Sequence, residues 1–133
     1  MHWGRAIYID HAPQINLIGF SGGGTLAVLL AAQRADVASI RTVAGNLDLI
    51  AMDQFHHTSP LTESLDPMQV ATQVNAIPQL HFIGAKDQVV PVHVTQNFAQ
   101  AAQLKPQQVI VVPNVSHNKG WAQRWLKLLE QVP

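Results

Sequence analysis

Four short apolar runs, separated by helix-like stretches, decide most of what this chain of 133 residues can fold into. Ile15 to Gly19, Ser39 to Ala44, Gln79 to Ile83 and Gln108 to Val112 each have the length of a buried strand. Thr25 to Ala32 reads Thr-Leu-Ala-Val-Leu-Leu-Ala-Ala, a helix apolar almost all round that needs cover on more than one side. Asp66-Pro67 is a good helix opening, with Asp as N-cap and Pro preset for the first helical position, and that helix runs to about Asn75. A helix from Val92 to Gln103 follows the third strand. The last helix, about Lys119 to Leu129, lines up Trp121, Trp125, Leu128 and Leu129 on one face. Residues from about Trp3 to His11 form a further helix, closed by Pro13. Asn46 to Leu65 has no clear period and contains Pro60, which predicts a long loop or small lid.

Strands that alternate with helices and are apolar throughout pair in parallel, buried beneath helices on both faces. The fold class is therefore α/β. Open parallel sheets put their chemistry beyond the C-terminal ends of the strands. The residues just past those ends carry the functional reading, and Ser21, Asp87 and His117 are among them.

Gly19-Phe20-Ser21-Gly22-Gly23 fits G-x-S-x-G, a sharp strand-to-helix turn that exposes a strained serine. The helix behind Ser21 aims its free N–H groups and positive dipole end at developing negative charge. The N–H of Gly22 is the natural oxyanion donor. The same glycines admit a second reading, because Gly22-Gly23-Gly24-Thr25-Leu26-Ala27 also fits the dinucleotide fingerprint G-x-G-x-x-G/A, with Asp48 as its acid. Against that reading, the fingerprint's first glycine ends the strand, a place that Gly19 holds here.

A serine nucleophile needs a base to take its proton, and the base needs an acid to fix its tautomer. Asp87 follows the third strand through Gly84-Ala85-Lys86, and His117 follows the fourth through Pro113-Asn114-Val115-Ser116. His93 also comes after Asp87, but in the first turn of a helix. Ser, then acid, then His is the chain order of α/β-hydrolases. Three blocks carry a closer resemblance: Leu17-Ile18-Gly19-Phe20-Ser21-Gly22-Gly23-Gly24, Phe82-Ile83-Gly84-Ala85-Lys86-Asp87-Gln88-Val89-Val90-Pro91 and Val112-Pro113-Asn114-Val115-Ser116-His117. The chain resembles bacterial α/β-hydrolase-fold proteins with a GFSGGG-type elbow. That resemblance implies a serine hydrolase acting on esters or related small acyl compounds, with Ser21, Asp87 and His117 as its triad and no metal or organic cofactor.

The family fold has about eight strands, and this chain supplies what correspond to the last four. Residues 1–133 thus read as one partial domain, the C-terminal half, with its N-terminal strands missing. The loop that gives the family its second oxyanion N–H precedes the elbow by more than the 20 residues found here, so the oxyanion hole reads as impaired. Ile15 to Gly19 then becomes an apolar edge prone to self-association. A non-catalytic fragment stabilised by pairing is the alternative to an active enzyme, and a nucleotide-binding module is a third reading.

Beyond the triad, Phe20, Asn46 and Asp48 are candidates for the substrate pocket; Trp121 stands close enough to His117 to wall it, but core packing on the last helix is the preferred reading. His56-His57 with Asp53 reads as a solvated loop, because adjacent residues seldom turn both rings to one ion. Zero net charge, without a basic run, argues against nucleic acid and anionic membrane partners. No apolar stretch reaches the roughly 18 residues of a membrane helix. The absence of cysteine excludes disulfides and thiolate metal sites. No signal peptide is visible in this chain, and cytoplasm is the default compartment.

Overall fold

The computed structural model describes residues 13–59 and 65–133. β1 (Ile15–Phe20), β2 (Val37–Val43), β3 (Gln79–Gly84) and β4 (Val109–Val112) form one parallel sheet in the order β1-β2-β3-β4. Between and after them lie α1 (Gly22–Gln33), α2 (Leu49–His56), α3 (Pro67–Val70), α4 (Val92–Ala101) and α5 (Trp125–Leu129). The expected class and strand count are both found. The helix expected over Trp3 to His11 lies outside the described residues.

The register explains the burial. Thr42 stands opposite His81 and Val43 opposite Phe82. Period-2 alternation then sends Ile40, Thr42, Gln79, His81 and Ile83 to one face and Val43, Leu80 and Phe82 to the other. On the first face Ala27, Val28 and Ala31 of α1 pack with Ile40, Phe98 and Ala102. On the second, Leu128 of α5 and the half-buried Trp121 and Trp125 cover Val43, Phe82 and Val112. All six residues of β3 are buried, since it has a neighbour on each side and a helix layer over each face. Truncating Phe82 in that position should cost about 3–5 kcal/mol.

A polar chain is threaded through this apolar layer. The Gln79 amide nitrogen donates to the carbonyls of Val74 and Ile77, at 2.9 and 3.0 Å, which leaves its Oε1 to accept. His81 Nε2–H donates to that oxygen at 2.8 Å, so Nδ1 is the acceptor for the Thr42 hydroxyl at 2.6 Å. Complete burial pushes the His81 pKa down to about 3, because charging the ring would forfeit its hydration. The imidazole is a neutral structural element.

Four expectations need correction. The stretch from Asn46 to Leu65 contains a helix, α2, because Asp48 caps it by accepting the Ala51 N–H at 3.0 Å. The helix from Asp66 stops at Val70 and continues as turns, closed by three-residue bonds such as Ile77 N–H to Val74 O. The final helix begins only at Trp125, because Gly120, at φ 101°, turns the backbone away from helical geometry. The elbow helix α1 is covered along one stripe: Gly24, Ala27, Val28 and Ala31 are buried, whereas Leu26 is 67% exposed. β1 forms an edge of the described sheet, and its Ile18 and Phe20 are exposed on the α5 side.

Candidate active site

The site is assembled where β1, β3 and β4 end. Ser21 sits between β1 and α1 at φ 54° and ψ −118°, a backbone conformation that L residues with side chains avoid. Such a residue costs roughly 1–3 kcal/mol and persists only where its surroundings hold it. Here its N–H donates to Val43 O at 2.9 Å, and its carbonyl accepts from Gly24 and Asn46 at 2.9 and 3.2 Å. The turn also needs glycine at position 19. A Cβ there would stand 2.1 Å from the Gly23 carbonyl oxygen, whereas Gly22 and Gly23 have open space where a Cβ would go. Only the first glycine of the pentapeptide is a steric requirement of the fold.

Asp87 and His117 are brought together by a second close approach. The loop after β4 crosses the end of β3 so tightly that a Cβ on Gly84 would lie 2.3 Å from Val115 O. The φ of Gly84 is not positive, so this glycine serves no special backbone conformation; it admits the neighbouring loop. Ala85 N–H to Val112 O and Lys86 N–H to Val115 O, each 2.9 Å, stitch the two turns together.

The side chains then form a continuous relay. Ser21 Oγ lies 3.2 Å from His117 Nε2, and His117 Nδ1 lies 2.9 Å from Asp87 Oδ2. The Asp87 carboxylate is fully buried, and its Oδ1 accepts the N–H groups of Val89 and Val90 at 2.8 Å each. A carboxylate only accepts, so the proton of the neutral ring belongs on Nδ1 and Nε2 is free to accept from Ser21. The His117 side chain is 11% exposed, and the indole N–H of Trp121 donates to its carbonyl at 3.1 Å. Trp121 thus steadies the histidine loop from the α5 side. The Gly22 N–H, in the first turn of α1, has no acceptor within the helix and follows Ser21 directly.

The remaining candidates divide. Phe20 is 46% exposed with its ring centroid 5.2 Å from that of His117, so it borders the site. Asn46 is pinned beside the elbow through its N–H to Ser21 O and its carbonyl to the Thr25 hydroxyl, and its buried Oδ1 has no partner among the described residues. Asp48 has two structural partners: one oxygen caps α2 and the other accepts from Asn97 Nδ2 at 3.0 Å. Those two bonds hold the buried carboxylate between α2 and α4. His56 Nε2 is bonded to Val89 O, and Asp53 to the Thr58 hydroxyl. Among the described residues no three His, Asp or Glu side chains converge as metal ligands.

Sequence reasoning did not anticipate the bracing by Trp121 or the two amide donors on Asp87. The second was signalled by the run Asp87-Gln88-Val89-Val90-Pro91, since an Asp commonly accepts from the N–H groups two and three residues on.

Residues 5–117 match the family model described as Serine hydrolase (FSH1). No curated protein matches the chain. Among solved structures, the puromycin-hydrolyzing peptidase of Mycobacterium tuberculosis aligns over 96% of this chain at 22% identity, with a TM-score of 0.72. An esterase of Pyrococcus furiosus aligns over 96% at 16% identity, with a TM-score of 0.62. An alpha-beta serine hydrolase homologue from Coxiella burnetii aligns over 95% at 23% identity and a TM-score of 0.58. The chain spans 23%, 57% and 51% of those three proteins, respectively. At these identities the likeness establishes the fold, which is that of part of an α/β-hydrolase domain.

Proposed function

The chain belongs to the serine hydrolase (FSH1) family, and from that premise we propose that it hydrolyses small acyl esters through Ser21, His117 and Asp87. The observation that carries the reading is the unbroken relay from Ser21 Oγ to His117 Nε2 and from His117 Nδ1 to Asp87 Oδ2. Ser21 Oγ attacks the acyl carbon as His117 Nε2 takes its proton. The carbonyl oxygen becomes an oxyanion held by the Gly22 N–H and the positive end of α1. His117 then passes its proton to the leaving alcohol as the C–O bond breaks, giving an acyl-serine. A water deprotonated by the same imidazole releases the acid and restores Ser21. Asp87 keeps the ring in its working tautomer and stabilises the imidazolium. Phe20 offers the substrate an apolar wall, and Asn46 a polar contact beside the nucleophile.

The Pyrococcus furiosus protein is described as an esterase and that of Mycobacterium tuberculosis as a peptidase that hydrolyses puromycin. Ester chemistry is favoured for this chain because an alcohol leaves more readily than an amine with one identified oxyanion donor. The test is hydrolysis of 4-nitrophenyl butyrate with a pre-steady-state record. A burst of nitrophenol equal to the enzyme concentration, abolished in Ser21→Ala, supports the acyl-serine route. Turnover that survives Ser21→Ala rejects it.

A further inference from the structure

A cleft of about 350 Å³ opens against His117, lined also by Lys86, Gln88, Val89, Ser116, Asn118 and Lys119. Its charge is one-sided. Two lysines belong to a lining with no available carboxylate, since Asp87 is fully buried and committed to His117 and two backbone N–H groups. Among the described residues neither lysine has a carboxylate within 4.0 Å. The chain as a whole is neutral, so this pair is a local concentration of positive charge rather than part of a general basic surface. Both lysines also rise from anchored backbone: Lys86 N–H donates to Val115 O, and Lys119 O accepts from Ser116 N–H, at 2.9 and 3.0 Å. Gln88, Asn118 and Ser116 add polar residues to the lining and exposed Val89 an apolar one, a combination suited to an organic anion.

The position relative to the relay gives the cleft a meaning. The cleft has His117 in its wall and neither Phe20 nor Ser21. In ester cleavage the imidazole protonates the departing oxygen, so the part of the substrate on its side is the alcohol portion. Resting on the hydrolase reading above, we propose that this cleft binds the leaving-group half of the substrate and selects esters whose alcohol portion carries an anionic group such as a carboxylate. Lys86 and Lys119 are its specificity determinants. They act on substrate placement and play no part in bond making.

The test compares two butyryl esters of the same shape, one of 4-hydroxybenzoate and one of 4-hydroxybenzamide. The wild-type ratio of kcat/KM, anionic over neutral, is the reference, so that differences in leaving-group reactivity cancel. Exposed ion pairs are modest, so each of Lys86→Gln and Lys119→Gln should lower that ratio by up to about fivefold, and the double variant by about tenfold. The loss should reside in KM, and added salt should reduce the wild-type preference. An unchanged ratio in a folded double variant overturns the proposal. Binding of 4-hydroxybenzoate and of 4-hydroxyphenyl phosphate to Ser21→Ala, followed through the amide resonances of Ser116 to Lys119, separates this claim from the hydrolytic one. Shifts that need both lysines support the cleft even in a protein that turns nothing over, and the two probes rank carboxylate against phosphate. Shifts with neither probe, or shifts indifferent to the lysines, reject it.

Discussion

Replacing Gly84 with alanine probes the point where the acid and base loops meet. An ordinary carbon-to-oxygen contact is about 3.3 Å, and the added Cβ would stand 2.3 Å from Val115 O and 2.9 Å from its carbonyl carbon. About 1 Å of overlap must therefore be relieved. The obstacle is backbone, tied to Lys86 N–H at 2.9 Å, so no side-chain rotation can relieve it. Overpacking of this kind costs about 1–3 kcal/mol, and a rigid backbone neighbour puts this site near the upper end. In a domain of this size that corresponds to a fall in Tm of roughly 10 °C. The functional cost should be larger. Val115 is two residues from His117, and moving the loop by 1 Å lengthens the 3.2 Å contact between Nε2 and Ser21 Oγ beyond hydrogen-bond reach. A misplacement of that size costs about 100-fold in rate. The assay is 4-nitrophenyl butyrate hydrolysis alongside thermal melting, at a temperature where every variant is folded. Gly23→Ala is the control, because its Cβ meets nothing within 4 Å and should leave stability unchanged or raise it by up to about 1 kcal/mol. A Gly84→Ala protein that melts and turns over like the wild type would refute the close-approach argument.

Asp87→Asn should lower kcat by about 10⁴-fold, because the amide no longer selects the Nδ1–H tautomer; kinetics at neutral pH measure it. Asp48→Ala should lower stability by about 1–2 kcal/mol through the lost α2 cap, seen as a lower urea midpoint, with kcat/KM of the folded protein unchanged. His81 makes stability depend on pH. Its folded-state pKa of about 3 lies below the ordinary 6.5, so the unfolded chain takes up the proton first. The contribution is complete above pH 6.5 and declines by up to about 1.4 kcal/mol per unit as pH falls toward 3. Urea titrations at pH 7 and pH 5 should show a larger difference for the wild type than for His81→Gln.

What was legible in the sequence was whatever a parallel sheet determines. Apolar runs of strand length specify the layers, and residues just past strand ends must gather at one edge, so Ser21, Asp87 and His117 could be paired by position alone. The glycines were half legible. Gly19 was recognised at the elbow, but the need for Gly84 is set by a loop some 30 residues away in sequence, a contact that no local pattern encodes. Asp48 is ambiguous for a related reason. It follows a strand end, as a pocket residue should, yet three residues later comes the Ala51 N–H it caps. A capping aspartate and a ligand-binding aspartate look alike until the partner donors are placed. Helix lengths were overestimated where turns replaced the last or first turns of the expected helices, as around Gly120, whose left-handed backbone a residue-type pattern cannot distinguish from a tolerated helical glycine. Leu26 and Leu30 read as core, and the described residues leave both exposed.

The central claim is that Ser21 is an activated nucleophile in this chain, and reaction with a fluorophosphonate probe followed by peptide mapping tests it most directly. The account predicts one adduct per chain, on Ser21, absent in Ser21→Ala and formed at least 100-fold more slowly in His117→Ala on the order of a lost general base. Folded protein that takes no label, or a label that persists in Ser21→Ala, would contradict it.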